Sequence, residues 1–116
     1  MIEELWYPLD RAARGISQAN HVSYHGLVDV HAVHSAVFQL DTIAGRLPQL
    51  LRYLGRCVGR AEAARVRDDR GSDPAMTLLE AQSELDEAAA ALEPVTAHLE
   101  RALGQLTHLA RRNQED

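Results

Sequence analysis

The sequence predicts an all-α protein: a long, kinked antiparallel helical hairpin of coiled-coil type, preceded by a helical segment. Alanine, leucine, glutamate and arginine are abundant in the 116 residues, whereas aromatic residues make up only 4%, a composition that favours helix. Apolar residues recur at alternating intervals of three and four along two stretches, which is the period of helices that pack side by side. One polar segment, residues 68–74, separates the two stretches and predicts the turn.

The first long helix is predicted over residues 28–67, and its apolar face is wider than one neighbouring helix can cover. The main stripe consists of Val30, Val33, Val37, Leu40, Ala44, Leu47, Leu51, Leu54, Val58 and Ala61. A second seam beside it consists of Ala36, Ile43, Leu50, Cys57 and Ala64. Leaving either stripe in water costs about 25 cal/mol per Å² of apolar surface, so a further element is expected to cover this face.

The second long helix is predicted over residues 75–112, where leucine recurs every seven residues from Leu78 to Leu106. Asp73 can cap it, and Pro74 suits its first turn. A turn centred on Gly71 would place residue i level with residue 142 − i, so that Pro48 falls opposite Pro94. Matched kinks at these prolines are the favoured interpretation, and the alternative is that each proline begins a separate, shorter helix.

The N-terminal segment, residues 1–26, has a weaker helical stripe that Pro8 interrupts and Gly15 weakens. Either this segment or a second copy of the chain can cover the wide face. We expect a homodimer with a four-helix core. The predicted self-interface consists of Ile43, Leu47, Leu50, Leu54 and Cys57.

Composition bounds the class of protein and its compartment. The length fits a single domain, residues 1–116. The lone cysteine, Cys57, fits a reducing compartment, and no apolar run is long enough for a secretory signal or a membrane span. The sequence therefore predicts a cytoplasmic protein without membrane contact. The net charge of −5 argues against a general nucleic-acid-binding protein.

Four of the six histidines fall in the stretch "HVSYHGLVDVHAVH", residues 21–34. His31 and His34 are three residues apart, and the hairpin register would place His108 level with His34. With Asp41 they would form a donor set that suits zinc. Histidine spacing alone is nonspecific, so the favoured interpretation is that the cluster marks the start of the long helix, with no metal or other cofactor.

Arginines occupy outer positions of the first long helix, at Arg46, Arg52, Arg56, Arg60 and Arg67. The second long helix carries acidic residues on its outer face, at Glu80, Asp86, Glu87, Glu93 and Glu100. A solvated face is the first interpretation of this charge separation, a protein contact the second and a phosphate-binding surface the last.

Catalytic motifs find little support in the sequence. The glycines of "GRCVG", residues 55–59, lack the strand and the Gly-Lys-Ser/Thr of a phosphate loop and are better explained by close helix contact. Cys57 lies in an apolar seam, where an inert thiol is expected. The pair Trp6–Tyr7 either caps the bundle, which is the favoured interpretation, or anchors a partner.

These observations predict a non-enzymatic interaction or scaffold protein that associates with itself. Trp6, Tyr7, Arg46, Arg52, Arg56 and Arg60 are its predicted partner contacts. One alternative is a metal-binding or metal-sensing bundle that uses His31 and His34. A further alternative is a nucleic-acid accessory protein that uses the arginine stripe.

Overall fold

The computed structural model describes residues 2–23 and 29–115, and these residues confirm the all-α class. The elements are α1 (Ile2–Ser23), α2 (Val30–Gly59), a single 3₁₀ turn (Ala63–Arg65) and α3 (Pro74–Glu115). Residues 24–26 of the predicted N-terminal segment lie outside the described residues. No described helix has the length and apolarity needed to cross a membrane.

Helix α2 begins at a side-chain cap and ends earlier than the sequence predicted. The Asp29 carboxylate accepts a hydrogen bond from the backbone N–H of Ala32 at 2.8 Å, which satisfies a donor that the first helical turn leaves free. The helix ends at Gly59, whereas the apolar period predicted residue 67. The last turn tightens as the Arg60 N–H donates to the carbonyl of Cys57 and the Ala61 N–H to that of Val58. The next apolar positions hold only alanine, so continuing the helix would bury little apolar surface. This small gain does not offset the low helix propensity of Gly59.

Helices α2 and α3 form the predicted antiparallel hairpin. His34 lies level with Thr107, with Nε2 and Oγ1 3.1 Å apart, and Gly59 lies against Gln82. The numbers of paired residues therefore add to 141, one less than a turn centred on Gly71 predicts. At the start of α3 the Asp73 carboxylate accepts a hydrogen bond from the Ala75 N–H at 3.1 Å, so the predicted cap is confirmed.

The two glycines of residues 55–59 face α3, and the interpretation of that motif as a close helix contact is confirmed. A Cβ atom on Gly55 would lie 3.1 Å from Asp86 Oδ1 and 3.7 Å from the carbonyl oxygen of Gln82. A Cβ atom on Gly59 would lie 2.6 Å from Gln82 Oε1. The absence of side chains at these two positions lets the helices approach near the connection.

Pro48 and Pro94 both lie inside continuous helices, so the alternative of separate, shorter helices is wrong. In the observed register Pro48 lies level with Glu93, next to Pro94. Each proline removes a backbone N–H donor, and these two positions fall at one level of the hairpin.

The connection between α2 and α3 is tied to the first turn of α3 through Asp68. Its side chain is only 2% exposed. The carboxylate accepts two hydrogen bonds from the Arg70 guanidinium, at 2.6 and 3.0 Å, and one from the Thr77 hydroxyl at 2.5 Å. The backbone N–H of Arg70 adds a fourth at 2.8 Å. These hydrogen bonds favour the charged form and hold the pKa of Asp68 well below its usual range. Gly71, with φ of 85°, supplies the left-handed residue that the turn requires.

Asp68→Asn is expected to lower the melting temperature at neutral pH and to flatten its dependence on acid. Because folding lowers the pKa of Asp68, its contribution to stability is present above the ordinary value of about 3.9 and is lost progressively below it. The wild type should therefore lose melting temperature more steeply than the variant between about pH 5 and pH 2.5. Asp69→Asn, at the exposed neighbouring position, is the control. Parallel curves for wild type and Asp68→Asn, read by circular dichroism, would contradict this account.

Helix α1 runs beside the hairpin without packing tightly on it. The molecule is 67 Å long, close to the roughly 63 Å expected of α3 alone, so α1 lies alongside. Among the described residues, no Cα atom of α1 comes within 8 Å of one in α2 or α3. An apolar cleft of about 470 Å³ separates α1 from α2. It is lined by Ala12, Gly15, Ile16, Ala19, Asn20, Ala36, Gln39, Leu40 and Ile43.

Candidate interaction surface

The single chain has almost no buried core. Among the described residues, the buried apolar residues are Ala44 and Ala89, and no large side chain is fully buried. The accessible surface is 9458 Å², whereas a compact folded chain of 12.8 kDa is expected to expose about 6,300 Å². The separated α1 and the small hairpin core both contribute to this excess of roughly 3,200 Å².

The predicted self-interface residues form one stripe on α2, and none of them is buried in the single chain. Ile43 is 41% exposed, and Leu47, Leu50, Leu54 and Cys57 are half-buried. The helical period of 3.6 residues places this stripe about a quarter turn from Ala44 and Gly55, which face α3.

A matching stripe on α3 lies about a quarter turn from the buried Ala89. Its members are all exposed: Ala81, Ala88, Val95, Ala102 and Leu109. Because the two helices run in opposite directions, both stripes turn to the same side of the hairpin. Together the α2 stripe and the α3 stripe form one surface, here called the apolar face.

Helix α1 lies over only a small part of the apolar face, at the Ile43 end of the α2 stripe. The α2 residues that line its cleft end at Ile43. The stripe beyond that point, with Leu50, Leu54 and Cys57, lies nearer the connection and outside the cleft. The N-terminal segment therefore does not supply the whole cover that the wide apolar face requires.

Trp6 and Tyr7 do not cap the bundle in the single chain. The favoured interpretation of this pair as a cap is therefore wrong for the single chain. Trp6 is 59% exposed and Tyr7 65% exposed. Their rings contact each other edge to face, with centroids 5.4 Å apart. The pair is therefore available for contact with a partner.

The four predicted contact arginines, Arg46, Arg52, Arg56 and Arg60, are exposed on α2. In the part of the chain that the structure describes, none of them forms an ion pair: the salt bridges there are Asp10–Arg14, Glu62–Arg65 and Asp68–Arg70. Glu80, Asp86, Glu87, Glu93 and Glu100 are likewise exposed. The hairpin thus presents charge of opposite sign on its two helices, and among these acidic residues Glu80 acts electrostatically on Arg70 of the connection.

Tyr53 lies among these arginines and is exposed. Its hydrogen bond with Cys57 raises the pKa of Tyr53, and the charges of Arg56 and Arg60 act in the opposite direction. The surface near the connection therefore combines an aromatic ring and the lone thiol with cations.

The candidate metal donors are not grouped. His34 is half-buried and bonds to Thr107, whose hydroxyl donates to the Leu103 carbonyl at 2.8 Å. The Thr107 oxygen must therefore accept, so His34 carries its proton on Nε2. His31 and His108 are exposed, and Asp41 is half-buried. Within residues 2–23 and 29–115, no three histidine, cysteine or carboxylate side chains are placed to hold a metal ion.

Comparison of the chain with protein-family models, with curated proteins and with solved structures gave no match.

Proposed function

We propose that this chain is a non-enzymatic helical interaction protein that associates with itself through the apolar face. The observation that carries the proposal is the accessible surface of 9458 Å², together with a buried apolar core that consists of two alanines among the described residues. A stable protein interface hides about 800 Å² on each partner, so the excess surface of this chain is more than sufficient for one. A pair of hairpins placed face to face would bury their leucines in a four-helix core.

The charged residues fit the rim of such an interface. Interfaces combine an apolar centre with a polar border, and arginine and aromatic residues are enriched in them. Arg46, Tyr53 and Arg56 line a shallow surface cleft together with Leu50 of the apolar face. The metal-binding alternative lacks comparable support, because the described donors are dispersed.

If folding is completed by a second copy, the melting temperature must rise with protein concentration. Mass action stabilises the associated state, and for a dimer of this size a 100-fold increase in concentration should raise the melting temperature by roughly 6 °C. Circular dichroism at about 1 and 100 µM would measure this shift. An identical melting temperature at both concentrations would contradict self-association as the source of the missing core.

A further inference from the structure

We infer that the second copy docks in one specific arrangement, with its α3 against α2 of the first copy and the connections of both hairpins at the same end. This inference rests on the proposed self-association and adds which helix meets which. The surface concerned is the uncovered part of the apolar face that lies near the connection, here called the docking face. It consists of Leu50, Leu54 and Cys57 on α2 and Ala81 and Ala88 on α3.

Two arrangements can bring two docking faces together with a two-fold axis and aligned helices. In the first, α2 packs on α2 of the partner around Leu50, so Cys57 lies beside the partner's Ile43. In the second, α2 packs on the partner's α3 at the same level. The register of the hairpin, in which paired numbers add to 141, then places Cys57 beside the partner's Glu84.

Charge distinguishes the two arrangements. Between residues 42 and 61, α2 and its C-cap carry four exposed arginines and no acidic residue, of which the helical period turns Arg52 away from the docking face. Packing α2 on α2 would bring the remaining arginines of two copies to the same rim, and juxtaposed like charges at an interface oppose association.

In the second arrangement each basic surface meets an acidic one. Arg56 and Arg60 of one copy lie within one residue, about 1.5 Å along the helix axis, of the level of Glu84 and Glu80 of the other. The helical period places Glu84 at the rim of the α3 stripe, between Ala81 and Ala88, and it is exposed. Glu84 forms no ion pair with a described residue of its own chain, and Glu80 acts electrostatically on Arg70 without forming a salt bridge with it. The second arrangement therefore places the arginines of α2 beside the glutamates of the partner's α3.

Backbone polarity does not separate the two arrangements, because each makes every neighbouring pair of helices in the four-helix core antiparallel. Helix α1 lies over the Ile43 end of the α2 stripe, so the far ends of the two hairpins diverge around the two α1 helices.

Disulfide cross-linking tests this arrangement, because Cys57 is the lone cysteine. A disulfide requires Cα atoms within about 7 Å. Glu84→Cys should therefore give a covalent dimer under mild oxidation, seen on a non-reducing gel, whereas Ile43→Cys should remain largely uncross-linked. Adding Cys57→Ala to Glu84→Cys should abolish the covalent dimer, which shows that the bond joins residues 57 and 84.

Cross-linking of Ile43→Cys without cross-linking of Glu84→Cys would overturn the inferred arrangement in favour of α2 on α2. Absence of cross-linking in both variants would also overturn it, provided the mass of the unoxidised wild type shows a dimer. A monomeric mass for the unoxidised wild type would overturn the proposed self-association itself, and the arrangement with it. The mass and the cross-link therefore separate the two failures.

Discussion

Leu50→Asp is expected to convert the self-associated protein into a monomer whose helices persist. Leu50 is half-buried within the α2 stripe and lies at the centre of the predicted self-interface. A carboxylate there would be buried without a partner on association, which costs several kcal/mol, so the dissociation constant should rise by roughly 1,000-fold. Sedimentation velocity at several concentrations, together with far-ultraviolet circular dichroism, measures both effects.

Leu79→Asp is the matched control for this substitution. Leu79 is an exposed leucine, and the helical period places it on the side of α3 opposite the apolar face. Its variant should associate like the wild type. Equal loss of association in both variants would indicate a general effect of charge, and unchanged association of Leu50→Asp would contradict the assignment of the interface.

Gly55→Leu is expected to destabilise the hairpin by about 2–3 kcal/mol, because a side chain at this buried contact forces the helices apart. The Cβ atom alone would lie 3.1 Å from Asp86 Oδ1 and 3.7 Å from the Cβ atom of Leu85. The free energy of unfolding can be read from urea titrations at a fixed protein concentration.

Gly45→Leu provides the comparison within the same helix. A Cβ atom at Gly45 meets no atom within 4 Å, and leucine is a better helix former than glycine by up to about 1 kcal/mol. The Gly45 variant should therefore be as stable as the wild type or more stable. Destabilisation of both variants to the same extent would show that the close approach at Gly55 is not what supports the hairpin.

The sequence predicted the helices better than it predicted their packing. Apolar spacing predicts helices because it reflects a local period, and the caps at Asp29 and Asp73 use local hydrogen bonds. The end of α2 at Gly59 depends on a small balance between glycine and the alanines that follow. The hydrogen bond between Asp68 and Thr77 could not be predicted from the sequence, because only the geometry of the turn brings these two residues together.

The candidate surface was likewise predictable only in part. The stripe from Ile43 to Cys57 follows from the heptad, and its exposure in the single chain follows from the width of that face. The gap between α1 and α2 does not follow from the sequence pattern, because it depends on the path of the chain between Ser23 and the start of α2. His34 illustrates the same limit: sequence spacing suggested His108 as its neighbour, and a register shifted by one residue gave it Thr107.

The absolute mass of the wild-type protein in solution tests the central claim most directly. Light scattering or sedimentation equilibrium at micromolar concentration, with and without a chelator, should give twice the 12.8 kDa of one chain in both conditions. That result would place the apolar face at an interface between copies. A mass of one chain across the whole concentration range would contradict the account, since the apolar face would then remain exposed in the free protein.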